Sequence, residues 1–310
     1  MWRLEGLTFA FLWTARYFVL EVVLSNKKRN DGAVLRLEGG KRLGDGNGSV
    51  KVHAELPLVS VVTVVFNDVG NLQRTIESIA SQTYGNIEHV IIDGCSEDGT
   101  LDIIRNNLSI DYWLSERDGG IYDAMNKGVD AATGEWINFM NSGDVFFNAS
   151  VLSDVFSDTE FCGKDLIYGD VEVDYGGFKK IKSAGVIKYL KQGMQFSHQS
   201  LFAARSILVS TPFDVSYRTA ADYDFVVRAW VEGRSFHHVS IVVSSISSGG
   251  VSDVRRISSH QQRVRILNSS LALSVFDKFW LWAQGVAIVF SDKVKLIFPI
   301  WLTDWIRKIK

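Results

Sequence analysis

From Val59 to Phe66 the chain reads VSVVTVVF, an almost unbroken run of β-branched apolar residues. Such a run predicts a strand buried on both faces, as in a parallel sheet. A polar turn at Asn67 and Asp68 follows, and then a helix on which Leu72, Ile76 and Ile79 share one face. The alternation repeats along the chain. It gives a strand over 87–93, a helix near 100–107, a strand around 110–115, a helix near 121–132 and a strand over 136–141. An amphipathic helix is predicted over 223–232. Successive strand and helix units imply an open α/β sheet, in which ligands sit in the crevice beyond the carboxyl ends of the strands.

Both ends depart from this pattern. Residues 7–24 are apolar but contain Arg16 and Glu21, whereas a spanning helix needs about 20 predominantly apolar residues. Residues 26–50 are rich in Gly, Asn and basic side chains and read as a flexible connector. At the other end an uncharged run over 279–291 is followed by Lys293, Lys295, the patch LIFPIWLT and three further cations. Trp280, Trp282, Trp301 and Trp305 fall in this region, and Val294, Phe298, Trp301 and Trp305 recur at helical spacing. Trp beside Lys and Arg marks a membrane interface, so an amphipathic helix lying in the plane of an anionic membrane is expected here. The competing expectation is a helix packed on the domain. Three regions result: an apolar and basic extension over 1–56, an α/β domain over 57–252, and a C-terminal amphipathic region over 253–310.

The 310 residues carry a net charge of −2, which disfavours a general nucleic-acid binder. That value hides a division: 1–56 balance at +3, 57–250 at −11 and 251–310 at +6. An acidic middle suits a divalent cation, and basic ends suit an anionic surface. Two cysteines, Cys95 and Cys162, make no disulfide framework and fit a reducing, cytoplasmic setting.

The loop after the first strand, NDVGNLQ, lacks GxGxxG, and no GxxxxGK[ST] occurs anywhere. A dinucleotide dehydrogenase and a P-loop NTPase are disfavoured. The strand ends instead carry Asn67 and Asp68, DGCSEDGT over 93–100, SERDGG over 115–120 and NSGD over 141–144. Acidic groups at successive strand ends need a donor hydrogen or a bridging cation, and a nucleotide base with a metal-bound diphosphate supplies both.

In this order and spacing, VSVVTVVFN, SIASQTY, VIIDGCSEDGT, SERDGGIYDAMNKGVDAATGEW and NFMNSGD resemble the family 2 glycosyltransferases, and a looser likeness continues through MQFSHQSLF and FDVSYRTAADYDF. The resemblance implies a Rossmann-like glycosyltransferase-A fold with a mostly parallel sheet. The donor half would be 57–150 and the acceptor half 151–252. It implies inverting transfer from a UDP-sugar, with Asp93 accepting from the base and Val65, Phe66 and Asn67 lying along the nucleotide. Asp118, Asn126 and Asn141 would line the donor. NSGD departs from the commoner DxD pattern and leaves Asp144 as the sole carboxylate for magnesium or manganese. Asp222 matches the family base, with a helix N-cap as its other reading, while His198, Gln199 and Asp224 would meet acceptor or diphosphate. The expected acceptor is a lipid-linked oligosaccharide of a cell-surface polysaccharide, met at the inner face of the cytoplasmic membrane. A non-catalytic nucleotide- or glycan-binding protein and a nucleotidyltransferase are the alternatives.

Overall fold

The computed structural model describes residues 36–44, 56–157, 161–250 and 255–297. The apolar stretch 7–24 and the aromatic segment 298–310 lie outside them. Within the expected connector the chain is ordered in a way the sequence did not announce. Leu37–Gly39 forms β1 and Lys41–Gly44 a single turn, α1. β1 pairs antiparallel with Trp113–Ser115. A Cβ on Gly39 would lie 2.6 Å from the Trp113 indole, so only a glycine lets the ring pass. Arg42 donates to Glu88 Oε1 at 2.7 Å and to the Ala131 carbonyl at 2.9 Å, with its guanidinium over the Tyr112 ring. These tertiary contacts replace the flexible-connector expectation for residues 37–44.

β2 (Val59–Val65) is buried at every position. After α2 (Leu72–Ala80) comes β3 (Ile87–Asp93), then α3 (Thr100–Asn106), β4 (Tyr112–Ser115), α4 (Ile121–Ala131) and β5 (Trp136–Phe139). The strands β4, β3, β2 and β5 are mutually parallel neighbours. β2 has partners on both edges and helices on both faces, which is why its sequence shows no alternation. Leu72, Ile76 and Ile79 of α2 and Tyr122, Met125 and Val129 of α4 are the faces turned to this sheet. At Gly128 a Cβ would sit 2.4 Å from Val62, so this glycine seats α4 against β2.

The second half widens the same sheet. It contributes β6 (Val145–Phe146), α5 (Val151–Phe156), β7 (Leu166–Asp174), β8 (Lys179–Lys182), β9 (Leu201–Ala204), α6 (Arg205–Ser210), α7 (Ala221–Val231) and β10 (Phe236–Ser247). Strand order is β1-β4-β3-β2-β5-β9-β7-β10-β6, with β8 on β7. β9 runs antiparallel to both β5 and β7, so the parallel quartet meets a mixed half at this point. The largest apolar cluster spans both halves, joining Val62 and Met125 to Phe213, Phe225 and Tyr223.

Two further helices close the described chain, α8 (Arg256–Ser270) and α9 (Val275–Ile297). α8 buries Ile266 and Leu267 in the main cluster. α9 lies against α8 through Leu281, and Lys191 pairs with Asp277 at 3.3 Å. The expected helix thus begins before residue 279 and packs on the domain along one side. Its other side is exposed, with Phe276, Phe279, Trp282 and Phe290 open to solvent. Among the described residues no helix is long and apolar enough to cross a membrane.

Candidate active site

The carboxyl ends of β2, β3, β4 and β5 converge on one crevice. The Gly94 N–H donates to the Val65 carbonyl at 2.9 Å, while the Phe66 ring beyond it is 62% exposed. Asn67 adopts φ 49°, a left-handed conformation that Asn tolerates. Its N–H donates to Ser96 Oγ and its Oδ1 accepts from the Glu97 N–H, both at 2.8 Å. Asp98 accepts from the Val69 N–H and from the N–H and hydroxyl of Thr100, so the two loops are held as one unit. A Cβ on Gly94 would lie 2.6 Å from Asp118 Oδ2 and 3.2 Å from the Phe66 ring. Phe66 and Asp118 therefore close over bare Gly94 backbone, where a side chain has no room.

Asp93 is fully buried, and its oxygens accept from the N–H and hydroxyl of Ser96 and, at 2.6 Å, from Ser115 Oγ. These bonds brace the loop that carries Gly94. Asn126 is engaged within the fold as well. Its amide donates to the Phe213 carbonyl and accepts from the Phe213 N–H, each at 2.9 Å, which consumes the side chain in a clamp between α4 and the 211–216 segment. Lys127 is likewise held, by Glu116 at 3.0 Å and by Asp123.

The NSGD turn follows β5. Gly143 has φ 89°, so an aspartate at this position would be strained, and its N–H is held by Thr75 Oγ1. Asp144 is part-buried; burial pushes its carboxyl above the usual range, opposed by donation from Gln199 Nε2 at 2.7 Å. Among the described residues no group of three His, Cys, Asp or Glu side chains forms a metal cluster. The donor set still fits a hard cation that draws most of its oxygens from a diphosphate and water. Asp144 supplies the carboxylate, and the buried Oδ1 of Asn141 is without a hydrogen-bond partner.

Asn141 Nδ2 lies 2.9 Å from His198 Nε2, and His198 Nδ1 lies 3.6 Å from Asp222 Oδ2. Tyr122 completes the line by donating its hydroxyl to Asp222 Oδ1 at 2.9 Å. Burial beside Asp222 pushes the Tyr122 phenol far up, which keeps it a donor. Asp222 stands in the first turn of α7, yet its oxygens go to Tyr122 and His198 and it is not the N-cap, which is Ala220. The side chain remains 21% exposed, so a substrate hydroxyl can reach it. Asp224 does not join it. That carboxylate is buried and bound to Arg228 Nε at 2.7 Å, an i,i+4 pair inside α7.

The crevice thus brings together Phe66, Gly94 and Asp118 at one end and Asn141, His198 and Asp222 at the other, with Asp144 beside Gln199. The Tyr122 contact escaped the sequence reading because helical spacing marks only the buried ring, and its partner lies 100 positions away. Ser115, 22 positions from the Asp93 it meets, is marked by no local pattern either.

The chain is 33% identical over 208 residues to a PGL/p-HBAD biosynthesis glycosyltransferase of Mycobacterium bovis, an alignment covering 64% of this chain and 80% of that one. It is 33% identical over 128 residues to the glycosyltransferase AglE of Haloferax volcanii, covering 39% and 41%. Among solved structures, S. aureus TarS 1-349 in complex with UDP-GlcNAc superposes with a TM-score of 0.56 at 18% identity, covering 76% of this chain and 73% of that one. The mannosyltransferase PcManGT of Pyrobaculum calidifontis, in complex with GDP-Man and Mn2+, gives 0.55 at 16% identity, covering 74% and 69%. These likenesses establish the glycosyltransferase-A fold expected from the sequence. The model of the family described as Glycosyl transferase family 2 matches residues 60–222, more than half of the chain, and the protein belongs to that family.

Proposed function

We propose that the protein transfers a sugar, with inversion, from a UDP-sugar to a lipid-linked saccharide in the assembly of a cell-surface polysaccharide, working at the inner face of the cytoplasmic membrane. The observation that carries the reading is the half-open Asp222 carboxylate, held by the Tyr122 hydroxyl at 2.9 Å and facing His198. Asp222 takes the proton of the acceptor hydroxyl as that oxygen bonds to the anomeric carbon. The bond from that carbon to the diphosphate oxygen breaks, and its electron pair leaves with UDP. Phe66, Gly94 and Asp118 would lie against the base, with Asp93 bracing the loop beneath them. Asn141 and Asp144 would hold a divalent cation, which when bound supplies positive charge to the departing diphosphate.

UDP as the nucleotide is supported by the likeness to TarS, whose solved structure is a complex with UDP-GlcNAc. A lipid-linked acceptor is supported by the exposed aromatic side of α9 and by the basic balance of +6 over 251–310. The test is metal-dependent UDP release from a panel of UDP-sugars, with and without a membrane lipid extract as acceptor source, using wild type, Asp222→Asn and Asp224→Asn. The expected result is acceptor-stimulated release lost in Asp222→Asn with UDP binding kept. Asp224→Asn keeps its chemistry in whatever fraction folds. A fully active Asp222→Asn protein would defeat the assignment, and UDP binding by wild type with no UDP release from any donor would point to a non-catalytic binder.

A further inference from the structure

Between α8 and α9 lies a groove of about 740 Å³, within the size range of small-molecule sites. Ile257, Val264, Leu281, Val286, Ile288 and Val289 make its walls. It opens onto the outer side of α9, since Trp282, Val286, Val289 and Phe290 belong both to the groove and to the exposed face. Phe276 is 72% exposed, Trp282 64% and Phe290 69%, an apolar surface of a kind that soluble monomers rarely leave bare.

Charge selects the occupant. Residues 255–291 carry Arg255, Arg256, Arg263, Arg265 and Lys278 against Asp277 alone. A second copy of this chain docking by the same face would bring like charge to like charge. Among these cations Lys278 lines the groove, and an amphiphile with an anionic headgroup brings hydrocarbon for the groove and negative charge for that ammonium and for the basic helix pair.

The groove is also tied to the catalytic segment. Ile257, Gln261, Val264 and Asn268 lie on one side of α8, and Gln262 and Ile266 on the other. Gln262 Oε1 accepts from the Thr219 N–H at 3.0 Å, and Arg265 lies over the Tyr217 ring. One helix therefore separates the groove from the residues that lead into Asp222.

We propose that the groove between α8 and α9 takes the hydrocarbon chain of an anionic lipid, the carrier of the acceptor sugar. This rests on the reading that the acceptor is lipid-linked. The probe is dodecyl phosphate with a diazirine at its chain end, used on the full chain below its critical micelle concentration. Photolabel should fall on peptides of 257–290, inorganic phosphate should not displace it, and a zwitterionic analogue should label less. Val264→Trp, which fills the groove, and Val286→Glu, at an exposed wall, should each weaken labelling by about 10-fold, the equivalent of losing roughly two buried methylenes. Equal labelling in both folded variants, labelling only outside 257–290, displacement by inorganic phosphate, or crosslinks to a second copy would each overturn the proposal. Transfer to a lipid-linked acceptor by a chain whose groove takes no label would overturn the groove and leave the acceptor reading standing. A labelled groove in an enzyme that glycosylates only water-soluble acceptors would overturn the acceptor reading and the carrier role together.

Discussion

Replacing Tyr122 by Phe removes one hydroxyl and leaves the ring in place among the residues that bury it. What is lost is the donor to Asp222 Oδ1 at 2.9 Å. A hydrogen bond to a charged group contributes about 1.5–3 kcal/mol. Because the Asp222 side chain is 21% exposed, water can occupy the vacated direction, so the lower end applies. Water replaces the bond but not the orientation, and about 1.5 kcal/mol of lost positioning lowers kcat roughly 10-fold. The assay is transfer kinetics with UDP binding measured in parallel, repeated in an Asp222→Asn background. The expected pattern is a lower kcat, unchanged UDP affinity and a melting temperature close to wild type. On the residual rate of Asp222→Asn, the Tyr122 substitution should then cost nothing further, since its effect passes through the carboxylate. An equal loss in both backgrounds, or a loss of UDP affinity matching the loss of rate, would refute the reasoning.

Asp144→Asn should cut turnover by about 100-fold, the cost of removing one charge-stabilising group, and excess chelator should do the same to wild type until magnesium or manganese is restored; UDP release in both conditions checks this. Asn126→Ala should leave both backbone groups of Phe213 without partners and lower stability by about 1–3 kcal/mol, read by denaturant unfolding, while folded protein keeps its kcat. His89 is buried beside Thr63, and burial, with Lys41 adding, pushes its imidazole down to about 3 from an ordinary 6.5. The folded state stays neutral where the unfolded chain binds a proton, so stability is full above pH 6.5 and falls toward pH 3. The slope from this group approaches about 1.4 kcal/mol per pH unit, and His89→Gln should flatten that part of the curve in thermal melts.

The elements that position the site were legible because each bears its own period. VSVVTVV had to be doubly buried, and the helices of the donor half show their faces in Leu72, Ile76 and Ile79 or in Tyr122, Met125 and Val129. β7 and β10 carry weaker signals, since three of nine positions in β7 and nine of twelve in β10 are not fully buried, and the sequence pattern predicts neither. Side-chain roles were legible where the local chain decides them and obscure where a distant one does. The i,i+4 spacing of Asp224 and Arg228 permits their ion pair, although the expectation placed Asp224 at the acceptor or diphosphate. Nothing near Asn126 announces Phe213, and nothing near Asp93 announces that Ser115 will claim its second oxygen. The charged stretch over 36–42 is too short to show a helical or strand period, and its order comes from Glu88, Trp113 and Tyr112.

That stretch has a consequence for how the catalytic unit behaves in isolation. β4 ends the parallel quartet with the sequence YWLS, aromatic and β-prone, and its outward ladder of N–H and C=O groups is occupied by β1. A chain begun at Pro57 would bare that ladder, a template for pairing with another copy, and would leave the fully buried Glu88 without Arg42. β1 is a poor template in turn, being three residues long and flanked by Arg36, Lys41 and Arg42. The segment thus works as an edge guard. Chains starting before Arg36 should run as discrete species on size exclusion, whereas those starting at Pro57 should self-associate, a difference that would otherwise be mistaken for the effect of a missing membrane anchor.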